Sequence, residues 1–141
     1  MHTIHGIEID DFTTGYLVAA IWSSTHPDFQ TERATEDTPE TLDEYSIYEF
    51  SKEAIESAVK DCNAFKEVAG RDLDAIKVYN PSEGTPEEYA GHDFWLTRNH
   101  HGAGFWDGDY PEPIGDRLTE ESQKFRELYI WINDDNKLEF E

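Results

Sequence analysis

The sequence predicts a small α+β domain, on three observations. Ile55, Ala58, Val59, Cys62 and Phe65 recur at i, i+3, i+4, i+7 and i+10, the apolar stripe of an amphipathic helix. Between Leu128 and Phe140 two apolar runs flank Asn133 to Asn136, residues that accept left-handed backbone, as in an antiparallel hairpin. From His92 to Asp109 the chain gathers two Trp, two Phe, three His and three Gly, and His92 to Arg98 alternates like a half-buried strand. The expected architecture is a single domain over residues 1–141, in which two hairpins form a small antiparallel sheet and about three helices pack on one face.

In chain order, Asp10, Asp11 or Thr13 offers an N-cap for a buried helix near 11–24, carrying the nearly unbroken apolar run from Tyr16 to Trp22. Residues 28–44 follow as an acidic loop, polar, aperiodic and broken by Pro39, with Tyr45, Ile47 and Phe50 as its anchors to the core. Ser51 caps a helix near 51–69, Glu53 lies in its first turn where the helix dipole favours negative charge, and Gly70 stops it. Leu73, Ile76 and Tyr79 form a further short helix, and Pro81 to Pro86 a loop. Strands near 93–98 and 103–106, turning at Asn99 to Gly102, make an aromatic hairpin. A helix near 116–126 keeps Leu118 and Phe125 on one side, and strands near 128–132 and 137–140 close the chain. The expected core holds Tyr16, Ile21, Ile55, Val59, Cys62, Phe65, Leu118, Phe125 and Ile130.

Charge narrows the function classes. Against 32 acidic residues stand 11 basic ones, a net of −21, which disfavours direct binding to bare nucleic acid or an anionic membrane and favours a basic partner. Four Trp and 13% aromatic residues give the chain the apolar mass that disordered acidic segments lack. The charge is concentrated: residues 28–56 carry ten acidic residues against Arg33 and Lys52, and residues 107–141 carry eleven against four basic. A lone cysteine, Cys62, forms no internal disulfide and reads as a packed thiol in a reducing, cytoplasmic setting. Residues 1–27 hold neither a basic residue nor an apolar run of spanning length, so neither a signal peptide nor a membrane helix is expected there.

Trp22-Ser23-Ser24-Thr25, Tyr45-Ser46-Ile47, the motif GHDFWLTRNHHGAGFWD from Gly91 to Asp107 and GDRLTE from Gly115 to Glu120 together mark a resemblance. The chain resembles a family of small acidic uncharacterised proteins of bacteriophages and related mobile elements. The resemblance covers most of the chain and implies a phage-like origin; it brings no catalytic residues.

Two function classes follow. In the first, Asp37, Glu40, Asp43, Glu44 and Glu49 form one acidic surface and Glu120, Glu121 and Glu127 a second. Their carboxylates stand in for nucleic-acid phosphates and occupy the groove of a basic, nucleic-acid-binding host protein. In the second, the stretch 92–109 is a small enzyme or ligand site built from His92, Asp93, Arg98, His100, His101, Trp106 and Asp107. Arg98 there pairs with Asp93 or Asp107 or stacks on Trp95 or Trp106, a structural role outranking ligand contact; Trp95 and Trp106 are either core or an exposed binding face. Adjacent His100 and His101 point to opposite faces of an extended chain, and neither HExxH nor paired His/Cys spacing is present, so neither metal nor cofactor is assigned. Gly102 and Gly104 supply two glycines of a GxGxxG pattern with Asp107 in the place of the third, a poor phosphate cradle. Beneath both classes, the acidity alone also serves as a solvated surface.

Overall fold

A computed structural model describes residues 2–75, 84–101, 103–106 and 110–141. In order these form β1 (His2–Ile4), β2 (Ile7–Ile9), α1 (Asp11–Ser23), α2 (Lys52–Ala69), α3 (Pro86–Arg98), α4 (Ile114–Gln123), β3 (Ile130–Ile132) and β4 (Leu138–Phe140). Short 3-10 turns occupy Ile47–Glu49 and Gly70–Ala75. The class is α+β: helices packed together, with two antiparallel two-stranded sheets, β1–β2 and β3–β4. Leu73 lies in the second 3-10 turn, while Ile76 and Tyr79 of the expected short helix lie outside the described residues.

α1 is the central element. Asp10 caps it by accepting the Thr13 N–H at 2.8 Å, and Phe12, Tyr16, Leu17, Ala19, Ala20 and Ile21 are buried around nearly its whole circumference, as expected of a helix apolar on all sides. Its main neighbour is α3, and the two approach through glycine. A β-carbon on Gly15 would overlap the carbonyl oxygen of Glu88, and one on Gly91 that of Phe12. Backbone thus rests on backbone at this crossing, and no residue with a side chain fits at either position.

An aromatic cluster fills the space below. Phe65 of α2 stacks on Phe94 of α3 with ring centroids 4.2 Å apart, Phe105 and Phe12 lie against Phe65, and Tyr16 meets Trp95 edge-on at 5.3 Å. Ser51 caps α2 by accepting the Ala54 N–H at 3.1 Å, and Gly70 ends it at φ +54°. Of the expected core, Tyr16, Ile21, Ile55, Cys62, Phe65, Leu118 and Ile130 are buried; Val59 and Phe125 are partly buried at its margin.

The sheet at the chain's end matches expectation: Ile130 pairs with Phe140 and Ile132 with Leu138 around a turn in which Asn133 Oδ1 accepts the N–H groups of Asp135 and Lys137. The other hairpin is a different segment from the one expected. It is β1–β2, joined by His5 and Gly6, both at positive φ as in a type I′ turn. Residues 93–98 belong to α3. Thr85 and Glu88 form a reciprocal capping box with Pro86 in the first turn, and the second half of α3 is buried on every side, so alternation and helical periodicity coincide there.

Asn99, His100 and His101 do leave regular structure, but as a helix stop. His100 adopts φ +56°, its N–H bonds the Thr97 carbonyl, and the His101 N–H reaches back to the Leu96 carbonyl at 2.9 Å, the pairing of a Schellman cap. Residues 103–106 likewise form no strand: Thr97 Oγ1 accepts the Phe105 N–H at 3.1 Å, which seats Phe105 in the core and leaves Trp106 exposed.

The glycine crossing yields a stability prediction. Gly91→Ala must part α1 from α3 and should cost about 2 kcal/mol or more by urea unfolding, whereas Val18→Ala on the exposed side of α1 should cost under about 0.5 kcal/mol. Equal effects of the two would contradict the close crossing.

Candidate functional site

The residues grouped in the stretch 92–109 are distributed by α3 to separate places. His92 is half-buried beside the Trp22 ring, with centroids 5.4 Å apart, and burial lowers its pKa. Asp93 is buried. Arg98 lies 1% exposed in the core, and its pairing differs from expectation. Its Nη1 donates to Asp61 Oδ2 at 2.8 Å and to the Tyr16 hydroxyl at 3.0 Å; Nε and Nη2 both donate to the Arg126 carbonyl, at 3.0 and 2.6 Å. The guanidinium sits over the rings of Phe94 and Phe125, where Asp93 and the Trp rings were expected. Arg98 is therefore a structural tie joining α1, α2, α3 and the chain after α4. Trp95 is core and Trp106 is 52% exposed; Asp107 lies outside the described residues. Among the described residues no three His, Cys, Asp or Glu side chains gather as metal ligands would.

His100 and His101 stand at the end of α3, where a half-open cavity of about 460 Å³ is formed. Its lining comes from the end of α1 (Ser23 to Pro27), the end of α3 (Trp95, Asn99, His101) and the approach to β3 (Glu127 to Ile130). Trp95 Nε1 donates to Ser23 Oγ at 2.8 Å, and Asn99 bridges the Trp95 carbonyl and the Leu128 N–H, so all three segments are cross-braced. His26 is buried, its Nδ1 accepting the Asp28 N–H. At the rim, Glu127 accepts the Tyr129 hydroxyl and lies 3.6 Å from His100. Sequence reasoning singled out His101 but missed Ser23, His26 and Asn99, which lie more than 70 positions apart in part and meet only because α1 and α3 end side by side. A second cavity, about 680 Å³, lies at the other end of these helices between Asp10, Lys66, Leu73 and Pro86; Lys66 is there engaged by Asp10.

Of the first acidic group, Asp37 and Glu40 lie in a closed loop, while Asp43, Glu44 and Glu49 follow just past it. The Thr25–Thr41 bridge and the His26 N–H to Glu40 carbonyl bond at 2.9 Å close its neck, and Leu42 plugs the core beside them. Within it Thr31, Thr35, Thr38 and Thr41 hydroxyls hold successive turns by accepting the N–H groups of Arg33, Asp37, Thr35 and Asp43. Asp37, Glu40, Asp43 and Glu44 are exposed and Glu49 half-buried; among the described residues none of the five makes an ion pair. Tyr45 registers their field: burial, then the charges of Glu49, Glu44 and Asp28, raise its pKa. The Tyr45 hydroxyl donates to Asn136, which brings the 133–136 turn, with exposed Asp134 and Asp135, to the same region. In the second acidic group, Glu120 and Glu127 are exposed, while Glu121 is half-buried and paired with Lys124 at 2.9 Å.

No family model matches the chain, and neither curated proteins nor solved structures yield a match. Among the described residues no helix is long and apolar enough to cross a membrane.

Removing the Arg98 charge should strand Asp61 and the Arg126 carbonyl, so Arg98→Met should cost about 3 to 5 kcal/mol and the double variant with Asp61→Asn should recover part of that loss. A single-variant loss under about 1 kcal/mol would contradict the tie. His92 gives a pH prediction. Its folded pKa lies below the ordinary 6.5, so the unfolded chain binds more protons between the two values and stability falls as pH drops through that window. Thermal unfolding of His92→Phe, which keeps a ring against Trp22, should lose this step while the parent chain retains it.

Proposed function

We propose that the protein acts by binding a basic partner through the 28–49 acidic loop, its carboxylates occupying a groove that otherwise receives nucleic-acid phosphates. One observation carries this reading: the chain over 26–40 is closed at its neck and braced internally by threonine hydroxyls, Asp43, Glu44 and Glu49 follow just past that neck, and Asp37, Glu40, Asp43, Glu44 and Glu49 lack cationic partners among the described residues. A main chain held by these bonds needs little further ordering on association, and mutual repulsion within the exposed carboxylates is relieved when a cationic surface arrives. The resemblance to small acidic phage proteins supplies the setting, a basic nucleic-acid-binding protein of a host cell. No step of this reading needs catalysis.

Affinity purification with the intact chain, with and without competing DNA, tests it. A captured nucleic-acid-binding protein that DNA displaces is the expected result. Binding to that protein should weaken steeply with salt, as the Debye length shrinks from about 10 Å at 0.1 M to about 3 Å at 1 M. Replacing Asp43, Glu44 and Glu49 together by Asn and Gln should slow association about tenfold or more and change folding stability by less than about 1 kcal/mol. Binding indifferent to both salt and the triple change would overturn the reading.

A further inference from the structure

The cavity between the ends of α1 and α3 has the make-up of a ligand site. Its volume of about 460 Å³ falls within the roughly 300 to 1,000 Å³ typical of small-molecule sites. His26 lines it, is 9% exposed, and has its Nδ1 committed to the Asp28 N–H at 3.1 Å. A neutral imidazole that accepts at Nδ1 carries its proton at Nε2. His26, a lining residue of the cavity, thus keeps a ring N–H free to donate. Ser23 Oγ accepts from Trp95 Nε1 and still has its own proton to donate, while Glu127 supplies carboxylate oxygens as acceptors. Pro27, Trp95, Leu128 and Ile130 make the rest of the lining largely apolar.

We propose that this cavity binds an uncharged planar ring bearing a hydrogen-bond acceptor next to an N–H donor, the chemistry of a nucleobase in an unphosphorylated nucleoside. The acceptor takes the His26 Nε2–H, the donor meets Glu127, and the ring faces fill the apolar walls. A phosphate is opposed by Glu127 and by a net charge of −21, and a simple cation offers nothing to the His26 donor. This site goes beyond the partner reading and does not depend on it: it uses none of Asp37, Glu40, Asp43, Glu44 or Glu49.

An amide-resolved NMR titration of the full chain with cytidine and adenosine, and with their monophosphates as controls, is the test. Expected are saturable shifts confined to residues 24–28, 99–101 and 127–130 for at least one nucleoside, with its monophosphate about tenfold weaker. Glu127→Gln and His26→Phe should each weaken binding about tenfold, and the triple Asp43, Glu44 and Glu49 variant should leave it unchanged. Should His26→Phe fail to fold, Glu127→Gln at the rim carries the comparison, together with imidazole nitrogen NMR, which should find His26 protonated at Nε2 near neutral pH. Absence of saturable shifts with either nucleoside, equal binding of the monophosphate, or a proton at Nδ1 of His26 would each overturn the proposal.

Discussion

The rest of the structure depends on the crossing of α1 and α3 at Gly15 and Gly91. Because each glycine receives a carbonyl of the other helix, the two axes are set by backbone contact, and side chains repack around a crossing they did not determine. Everything that gives the molecule a working surface follows from where these helices end. Ser23 meets Trp95 at that end, Thr25 and His26 leave α1 there to start the acidic loop, and Asn99 there takes the Leu128 N–H that leads into β3.

Arg98 shows how a very acidic chain spends its few cations. One of only 11 Lys and Arg residues is buried, satisfying Asp61, Tyr16 and a main-chain carbonyl at once. Lys66 caps the same logic at the start of α1 by engaging Asp10, and Arg117 holds Asp72 in a two-point pair that lowers the Asp72 pKa. These cations hold elements together, while among the described residues Asp37, Glu40, Asp43, Glu44 and Glu49 make no ion pair. Threonine-braced turns and a closed neck give residues 26–40 a defined main-chain path.

Much of this was legible in the chain. The apolar stripe from Ile55 to Phe65, the Ser51 cap and the Asn133–Asn136 turn each state one structure, because period, cap and length agree; the apolar run of α1 has no period, and its length and N-cap are what favour a helix. α3 was not legible by periodicity, since burial on all sides erases the difference between a strand and a helix; its signal was Thr85-Pro86-Glu87-Glu88, a capping box with proline in the first turn. Tolerance for left-handed backbone at Asn99 to His101 fits a Schellman cap as well as a hairpin turn, since both ask for the same residues; His100 is the one of the three that adopts it. β1–β2 was missed since its strands are three residues each and His5-Gly6 is a weaker turn pair than Asn-Gly. The cavity residues Ser23, His26, Asn99 and Glu127 carry no local pattern, and only the helix crossing brings them together.

The central claim is that the acidic loop is a fixed surface borne by the α1–α3 pair. Backbone amide order parameters across residues 28–40, measured by NMR relaxation, address it most directly. The account predicts values near those of the helices, about 0.8, with the His26 amide protected by Glu40 across the neck. Values below about 0.6 along the loop, with a rapidly exchanging His26 amide, would make the acidity a solvated segment and contradict the account.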